Sequence, residues 1–164
     1  MIAVRLPLRL ALYEPDIAQN AGAMLRTCAC LGIGAAIIEP AGFPVSDRHF
    51  RRAGMDYLDK VAIERHVSWA AFETWRRGAG RRLALLTTQG ATDLWDFAFA
   101  EDDVIMVGRE SAGAPAEVHE AADARLRIDI FPSTRSLNVS VAAGMALGEA
   151  IRQLRRRIPA DEGT

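Results

Sequence analysis

The feature that most limits what this chain can fold into is its alternation of short apolar runs with helix-period segments. Apolar runs lie at Leu10–Tyr13, Ala35–Ile38, Leu83–Thr87, Val104–Val107 and Leu126–Ile130, with a weaker one at Val61–Glu64. Strands buried on both faces read as short continuous apolar segments. Between the runs lie helix patterns at Ala21–Leu31, Trp69–Arg76 and Pro115–Ala121, and a long final one from Leu137 to Arg157. Ser68 is placed to cap the second helix and Gly32 to stop the first. The pattern predicts an α/β fold, a mostly parallel sheet with helices on both faces. The 164 residues contain no repeat, low-complexity tract or linker. One domain is expected over residues 1–157, with a loose tail at 158–164.

At 50% hydrophobic residues the chain can bury a core without disulfides or metals. Cys28 and Cys30 are two apart in a helix pattern and point to different faces, so neither a disulfide nor a metal clip is indicated. His49, His66 and His119 form no ligand spacing, and no metal is expected. The N-terminal stretch is broken by Arg5, Pro7 and Arg9, which does not suit a secretory signal. Nowhere do the roughly 18 apolar residues of a membrane span run together. A cytoplasmic protein with no membrane partner is expected.

The net charge of −1 gives no global basic field. Lys60 is the one lysine among 20 basic residues, and arginines cluster at Arg51–Arg52, Arg76–Arg77, Arg81–Arg82 and Arg155–Arg157. The clusters are either phosphate contacts, since guanidinium matches phosphate oxygens bidentately, or the mark of a GC-rich genome.

In an open parallel sheet, ligands bind beyond the carboxyl ends of the strands. Three runs there are rich in Gly, Asn, Ser, Pro or charge: EPDIAQNAG after the first strand, GRESAGAP after Val104–Val107 and FPSTRSLN after Leu126–Ile130. They predict one site assembled from three loops. A dinucleotide fold would need GxGxxG after the first strand, which is missing. Gly108 to Gly113 has phosphate-loop spacing, but Ala114-Pro115 replaces the Lys-Ser/Thr that an NTPase requires. No GxSxG elbow supports a serine hydrolase.

At these loops the chain resembles the SPOUT-superfamily RNA ribose methyltransferases. Asn20-Ala-Gly22-Ala-Met-Leu-Arg26 is similar to their NxGxxxR motif, and Gly108-Arg-Glu110-Ser-Ala-Gly113-Ala-Pro115 to their second motif. Ser136-Leu137-Asn138-Val139-Ser140 is similar to the third, which opens the last helix. Further stretches (LALYEPDIAQNAG, AIIEPAGFP, RRAGMDY and ALLTTQG) resemble the single-domain subgroup acting on the tRNA wobble nucleotide, cytidine or uridine 34. The likeness runs from about Leu10 to Leu154.

The resemblance implies a C-terminal trefoil knot, a homodimer and 2'-O-methylation of the tRNA anticodon stem-loop with S-adenosylmethionine. Carried over by motif, cofactor contacts fall on Leu86, Thr87, Gly108, Ile128, Ser136 and Leu137. Gly108 would admit a close backbone approach, and a helix start at Leu137 would offer free N–H donors. Arg26, Asn20, Glu110, Ser136 and Asn138 become the catalytic candidates. Arg26 is expected to act as a fixed cation, because guanidinium keeps its proton in proteins. Glu110 is expected to accept hydrogen bonds from Asn20 or Arg26. Asn20, Ser136 and Asn138 have a second reading as helix caps.

A stripe of Val141, Met145, Gly148 and Ile151 on the last helix suits a dimer interface, or packing on the chain's own sheet. Gly148 departs from the aromatic common in the subgroup, and Ala114 from the family's usual leucine. Two other functions stay open: 2'-O-methylation of another tRNA or rRNA nucleotide, and an idle RNA-binding protein on the same scaffold.

Overall fold

The computed structural model describes residues 5–46, 48 and 60–155. The expected tail at 158–164, the RRAGMDY run and the arginines Arg51, Arg52, Arg156 and Arg157 lie outside the described residues.

The chain runs β1 (Arg9–Tyr13), α1 (Ala18–Leu31), β2 (Gly34–Ile38), β3 (Ile63–His66), α2 (Trp69–Gly78), β4 (Leu83–Leu86) and β5 (Thr92–Asp93). It continues through β6 (Val104–Val107), α3 (Ala116–Ala121), β7 (Ala124–Arg127) and α4 (Val139–Arg155). Among the described residues the strands form one seven-stranded sheet in the order β3-β2-β1-β6-β4-β7-β5. Each pairing is parallel. Side chains alternate across the sheet as the strand period demands. Leu10, Leu12, Ile105 and Val107 face a core shared with Met24, Leu25 and Cys28 of α1 and Ala146 and Leu147 of α4. Ala11, Tyr13, Val104 and Met106 face the other core, with Phe72 of α2 and Val118 of α3. The expectation of a mostly parallel sheet with helices on both faces is met.

The local signals worked for physical reasons. The Ser68 side chain accepts the Ala71 N–H at 3.1 Å, capping α2. Gly32 ends α1 in the left-handed region at φ 68°, where glycine has no Cβ to clash. Cys28 is buried and Cys30 exposed, both as free thiols, and burial pushes the Cys28 thiol up to about 12.

Among the strands, the clearest departures from expectation are at β3, β7 and β5. β3 starts two residues later than the weak apolar run. It is an edge strand whose register on β2 pairs Ala35 with Ile63 and Ile38 with His66, and an edge tolerates the polar Glu64 and Arg65. β7 occupies Ala124–Arg127 rather than Leu126–Ile130, because its neighbours end there. Leu86 of β4 pairs with Leu126, and Asp93 of β5 with Arg127. The two-residue β5 carried no periodic signal at all.

The central arginine pairs are structural. Arg76, 5% exposed, donates to Glu73 through Nε and Nη2, to Asp123 at 3.1 Å and to the Arg81 carbonyl at 2.8 Å. Arg77 pairs with Glu73 on the surface. Arg81 donates to the Pro7 carbonyl at 2.8 Å and stacks on Trp75. Arg82 grips Asp103 bidentately at 2.7 Å and lies over Phe97. Pro7, Arg81, Arg82 and Asp103 precede β1, β4 and β6, so these contacts fasten the amino ends of the strands. These bonds lie at the end of the sheet opposite the three loops and favour a structural role for Arg76, Arg81 and Arg82 over phosphate contact.

Candidate active site

β1 and β6 are neighbours in the sheet, yet α1 follows β1 onto one face while α3 follows β6 onto the other. Connections that leave in opposite directions open a crevice at the carboxyl ends of the two strands. The loop after β1 and the loop after β6 meet there. β4 and β7 stand next in order, so the ends of β6, β4 and β7 carry Gly108, Leu86–Thr87 and Ile128 side by side. The Thr87 N–H reaches the Leu126 carbonyl at 2.9 Å, extending the pairing past the strand end. Leu86 and Ile128 are half-buried and pack on the first core cluster.

The third motif reaches this end through Asn138. Its Nδ2 donates to Asn20 Oδ1 at 3.1 Å, a contact spanning 118 residues. Its Oδ1 accepts the N–H of Ser140 at 2.9 Å and of Val141 at 3.4 Å. Asn138 therefore caps α4 and joins the first motif to the third at once. Asn20 is not a cap, because it lies inside α1, whose N-cap is Ile17.

Glu110 is half-buried, and its partner is Asp16 rather than the expected Asn20 or Arg26. Glu110 Oε2 accepts the Asp16 N–H at 3.2 Å, while the Glu110 N–H donates to Asp16 Oδ1 at 3.1 Å. The Ser111 hydroxyl donates to Asp16 Oδ2. Glu110 does hold the first loop against the second, as expected, but by this route. Burial, and next the hydrogen-bonded Asp16, push the Glu110 carboxyl above its usual range. Asp16 is drawn down to about 2 by hydrogen bonds from Glu110 and Ser111.

Two expected contributions change. A Cβ at Gly108 would lie 2.6 Å from the Ala114 nitrogen and the Gly113 carbonyl carbon. The space this glycine leaves is filled by its own loop, closed by reciprocal Arg109–Gly113 backbone bonds of 2.8 and 3.2 Å. Its missing side chain serves loop closure rather than ligand approach. Leu137 does not start a helix, since α4 begins at Val139 and the Ser140 and Val141 N–H groups are taken by Asn138. Leu137 is 38% exposed, and Ser136 is exposed beside it. Arg26 is also exposed, six residues beyond Asn20 on α1, about 9 Å along the helix axis. The structure thus links Asn20 to Asn138 and Glu110 to Asp16 by hydrogen bonds, and leaves Arg26 and Ser136 on the surface.

Asp16 was missed from the sequence. Its signal was its place in Glu14-Pro15-Asp16, directly after a central strand, but a carboxylate in a turn has many ordinary uses.

Residues 7–148 match the SpoU rRNA Methylase family. A tRNA (cytidine(34)-2'-O)-methyltransferase of Beijerinckia indica is 65% identical over 88% of this chain and 91% of its own. A like-named protein of Escherichia coli K12 is 39% identical over 90% and 94%. A solved structure described as giving structural insights into the 2-OH methylation of C/U34 on tRNA superposes with a TM-score of 0.85 at 41% identity. It covers 92% of this chain and 97% of that one. The SpoU methyltransferase AviRb of Streptomyces viridochromogenes, in complex with the cofactor AdoMet, gives 0.82 at 28% identity, over 94% of this chain and 64% of that one. With the three motifs gathered at the carboxyl ends of one parallel sheet, the chain belongs to the SpoU rRNA methylase family.

Proposed function

We infer that the protein is an S-adenosylmethionine-dependent tRNA 2'-O-methyltransferase acting on nucleotide 34. The observation that carries this is the Asn20–Asn138 bond. It ties the first motif to the third beside the strand ends, in a chain 65% identical to a tRNA (cytidine(34)-2'-O)-methyltransferase.

S-adenosylmethionine supplies a methyl group made electrophilic by the sulfonium. Bound here, it would supply that methyl to the ribose 2'-oxygen and leave as S-adenosylhomocysteine, the hydroxyl proton passing to solvent. Leu86 and Ile128 offer apolar surface for the adenine. Thr87, Gly108, Ser136 and Leu137 would hold the cofactor, Gly108 through its main chain. Asn20 and Asn138 orient the ribose, and Arg26 stabilises charge growing on the 2'-oxygen while holding the adjacent phosphate. A trefoil knot in the segment after β7 belongs to the same reading. It is supported by β7 lying between β4 and β5. Among the described residues no helix is long and apolar enough to cross a membrane, and cytoplasmic tRNA is the substrate we propose.

Purified protein should transfer labelled methyl from S-adenosylmethionine to total tRNA of a strain lacking the gene. Nucleoside mapping should then find one 2'-O-methylated residue, at position 34. Label at another nucleotide would move the substrate, and cofactor binding without transfer would leave an RNA-binding protein.

The working unit we propose is a homodimer on the anticodon stem-loop, each site drawing on both chains. The expected interface stripe needs one correction. Ile151 is buried in the chain's own core and Met145 packs against it, so packing on the sheet claims that half. The remaining strip is Val141, 51% exposed, with Gly144 and Gly148, where an added Cβ meets nothing within 4 Å. Two such helices can approach closely there. Sedimentation at micromolar concentration should give twice the chain mass, and Gly148→Arg should yield a folded, inactive monomer. A monomeric wild type with full activity would refute the shared site.

A further inference from the structure

Asp16 grips Glu110 from the opposite loop at both ends of the residue, main chain and side chain. Oε2 of Glu110 is held by the Asp16 N–H and the Glu110 N–H by Asp16 Oδ1, so its backbone and rotamer are fixed together. The neighbouring residues repeat the grip. Arg109 donates to the Glu14 carboxylate at 2.5 Å and to the Glu14 carbonyl at 3.2 Å. Glu14 sits at φ 40°, a left-handed conformation that costs a non-glycine residue energy and persists only where surroundings impose it. From behind, the Gly42 N–H donates to the Pro15 carbonyl at 2.9 Å. A Cβ on Gly42 would stand 2.9 Å from Asp16 Cα, so a third loop presses on the same residue.

This much constraint is aimed at one group. Glu110 Oε1 is buried with no hydrogen-bond partner among the described residues. Leaving a buried polar oxygen unmatched is costly, and such orphans are rare. A loop latch alone needs no buried carboxyl oxygen held at a fixed angle beside the candidate site.

We propose that Asp16 is a positioning residue for methyl transfer, acting through Glu110, whose carboxyl it holds from the facing loop in the geometry the reaction uses. The inference rests on the proposed methyltransferase activity and on Glu110 as a member of its site. The splitting of the two carboxyls agrees with it. Asp16 is held low while burial and the hydrogen-bonded Asp16 raise the Glu110 carboxyl, as neighbouring carboxyls in unequal environments do.

The test is a set of variants assayed for transfer to tRNA, with cofactor affinity and folding measured alongside. Asp16→Ala removes the Oδ1 acceptor for the Glu110 N–H and the Oδ2 acceptor for Ser111. It should lower kcat about tenfold to a hundredfold, the range expected for a misplacement near 1 Å. KM for tRNA and cofactor affinity should stay within about threefold, since uniform binding is untouched. Asp16→Asn, which keeps Oδ1 and with it both bonds to Glu110, should restore most of kcat. Asp16→Glu should not, because the longer side chain cannot keep the reciprocal pair. Asp16→Ala combined with Glu110→Gln should lose no more than Glu110→Gln alone, as residues acting in series do. Wild-type kcat in Asp16→Ala, or a double variant as slow as the product of the two singles, overturns the proposal while the methyltransferase reading stands. Full activity in Glu110→Gln removes Glu110 from the site and Asp16 with it. Circular dichroism and melting of each variant separate these results from unfolding.

Discussion

Replacing Arg26 with alanine should cut methyl transfer about a hundredfold to a thousandfold and leave the fold and cofactor binding intact. Losing one charge-stabilising donor typically costs about 2.7–4 kcal/mol of barrier. The structure makes this substitution a clean probe. Arg26 lies on the exposed side of α1, while Ala21, Met24, Leu25 and Cys28 supply that helix's buried face. Alanine is also the best helix former and an exposed arginine's contact is worth at most about 1 kcal/mol, so stability should move by no more than that. Arg26→Lys should retain part of the activity, because a fixed cation remains although the planar fork is lost. The readout is single-turnover transfer with tRNA in excess, beside calorimetric binding of S-adenosylhomocysteine. Full activity in Arg26→Ala would show that the first motif contributes through Asn20 alone.

The second large effect is on stability. Arg76→Ala should destabilise the fold by about 3–5 kcal/mol, the cost of removing one partner from a buried ion pair. That is a substantial share of the roughly 5–15 kcal/mol that holds a domain together. The guanidinium ties α2 to Asp123, and Asp123 in turn accepts the Leu83 N–H at 2.7 Å. One substitution thus loosens α2, the entry to β4 and the approach to β7. Glu73 would be left half-satisfied. In the intact protein burial pushes its carboxyl up, but hydrogen bonds from Arg76 and Arg77 outweigh burial and hold it below its usual range. A carboxyl lowered on folding contributes stability above its unfolded pKa, roughly 4.3. That contribution is lost as pH falls through the lower folded value. Urea unfolding at pH 7 should show the drop in midpoint with unchanged slope. At about pH 3 the gap between Arg76→Ala and wild type should narrow. An unchanged midpoint at pH 7 would mean that surface pairs, not this buried one, hold α2.

These two arginines mark how far the sequence could be read. Strands such as Val104–Val107, the caps Ser68 and Gly32 and the two-faced sheet followed from local chemistry, because each depends on neighbours a few residues away. The motif loops were legible as a cluster for the same reason, since each directly follows a strand. What arginines at 76, 81 and 82 do was not legible. Their partners lie at Asp123, Pro7 and Asp103, and a guanidinium looks alike in sequence whether it meets a phosphate or a buried carboxylate. The same limit hid Asp16. Its meaning lies in a contact 94 residues away, and only the adjacency of β1 and β6 brings the two loops together. Gly108 shows a subtler limit. Glycine reports that space is needed, but not whether a ligand or the chain itself will fill it.

The position of β7 also shapes how this protein is made. β7 pairs with β4 on one side and β5 on the other, although both are synthesised before it. A nascent chain leaving the ribosome therefore carries β4 with one edge open and β5 with nothing to join until residue 127 has emerged. The left part of the sheet, β3-β2-β1, can assemble early from residues close in sequence. The right part waits for the last quarter of the chain, and through that interval the open edge of β4 is the nascent protein's most vulnerable surface for wrong pairing.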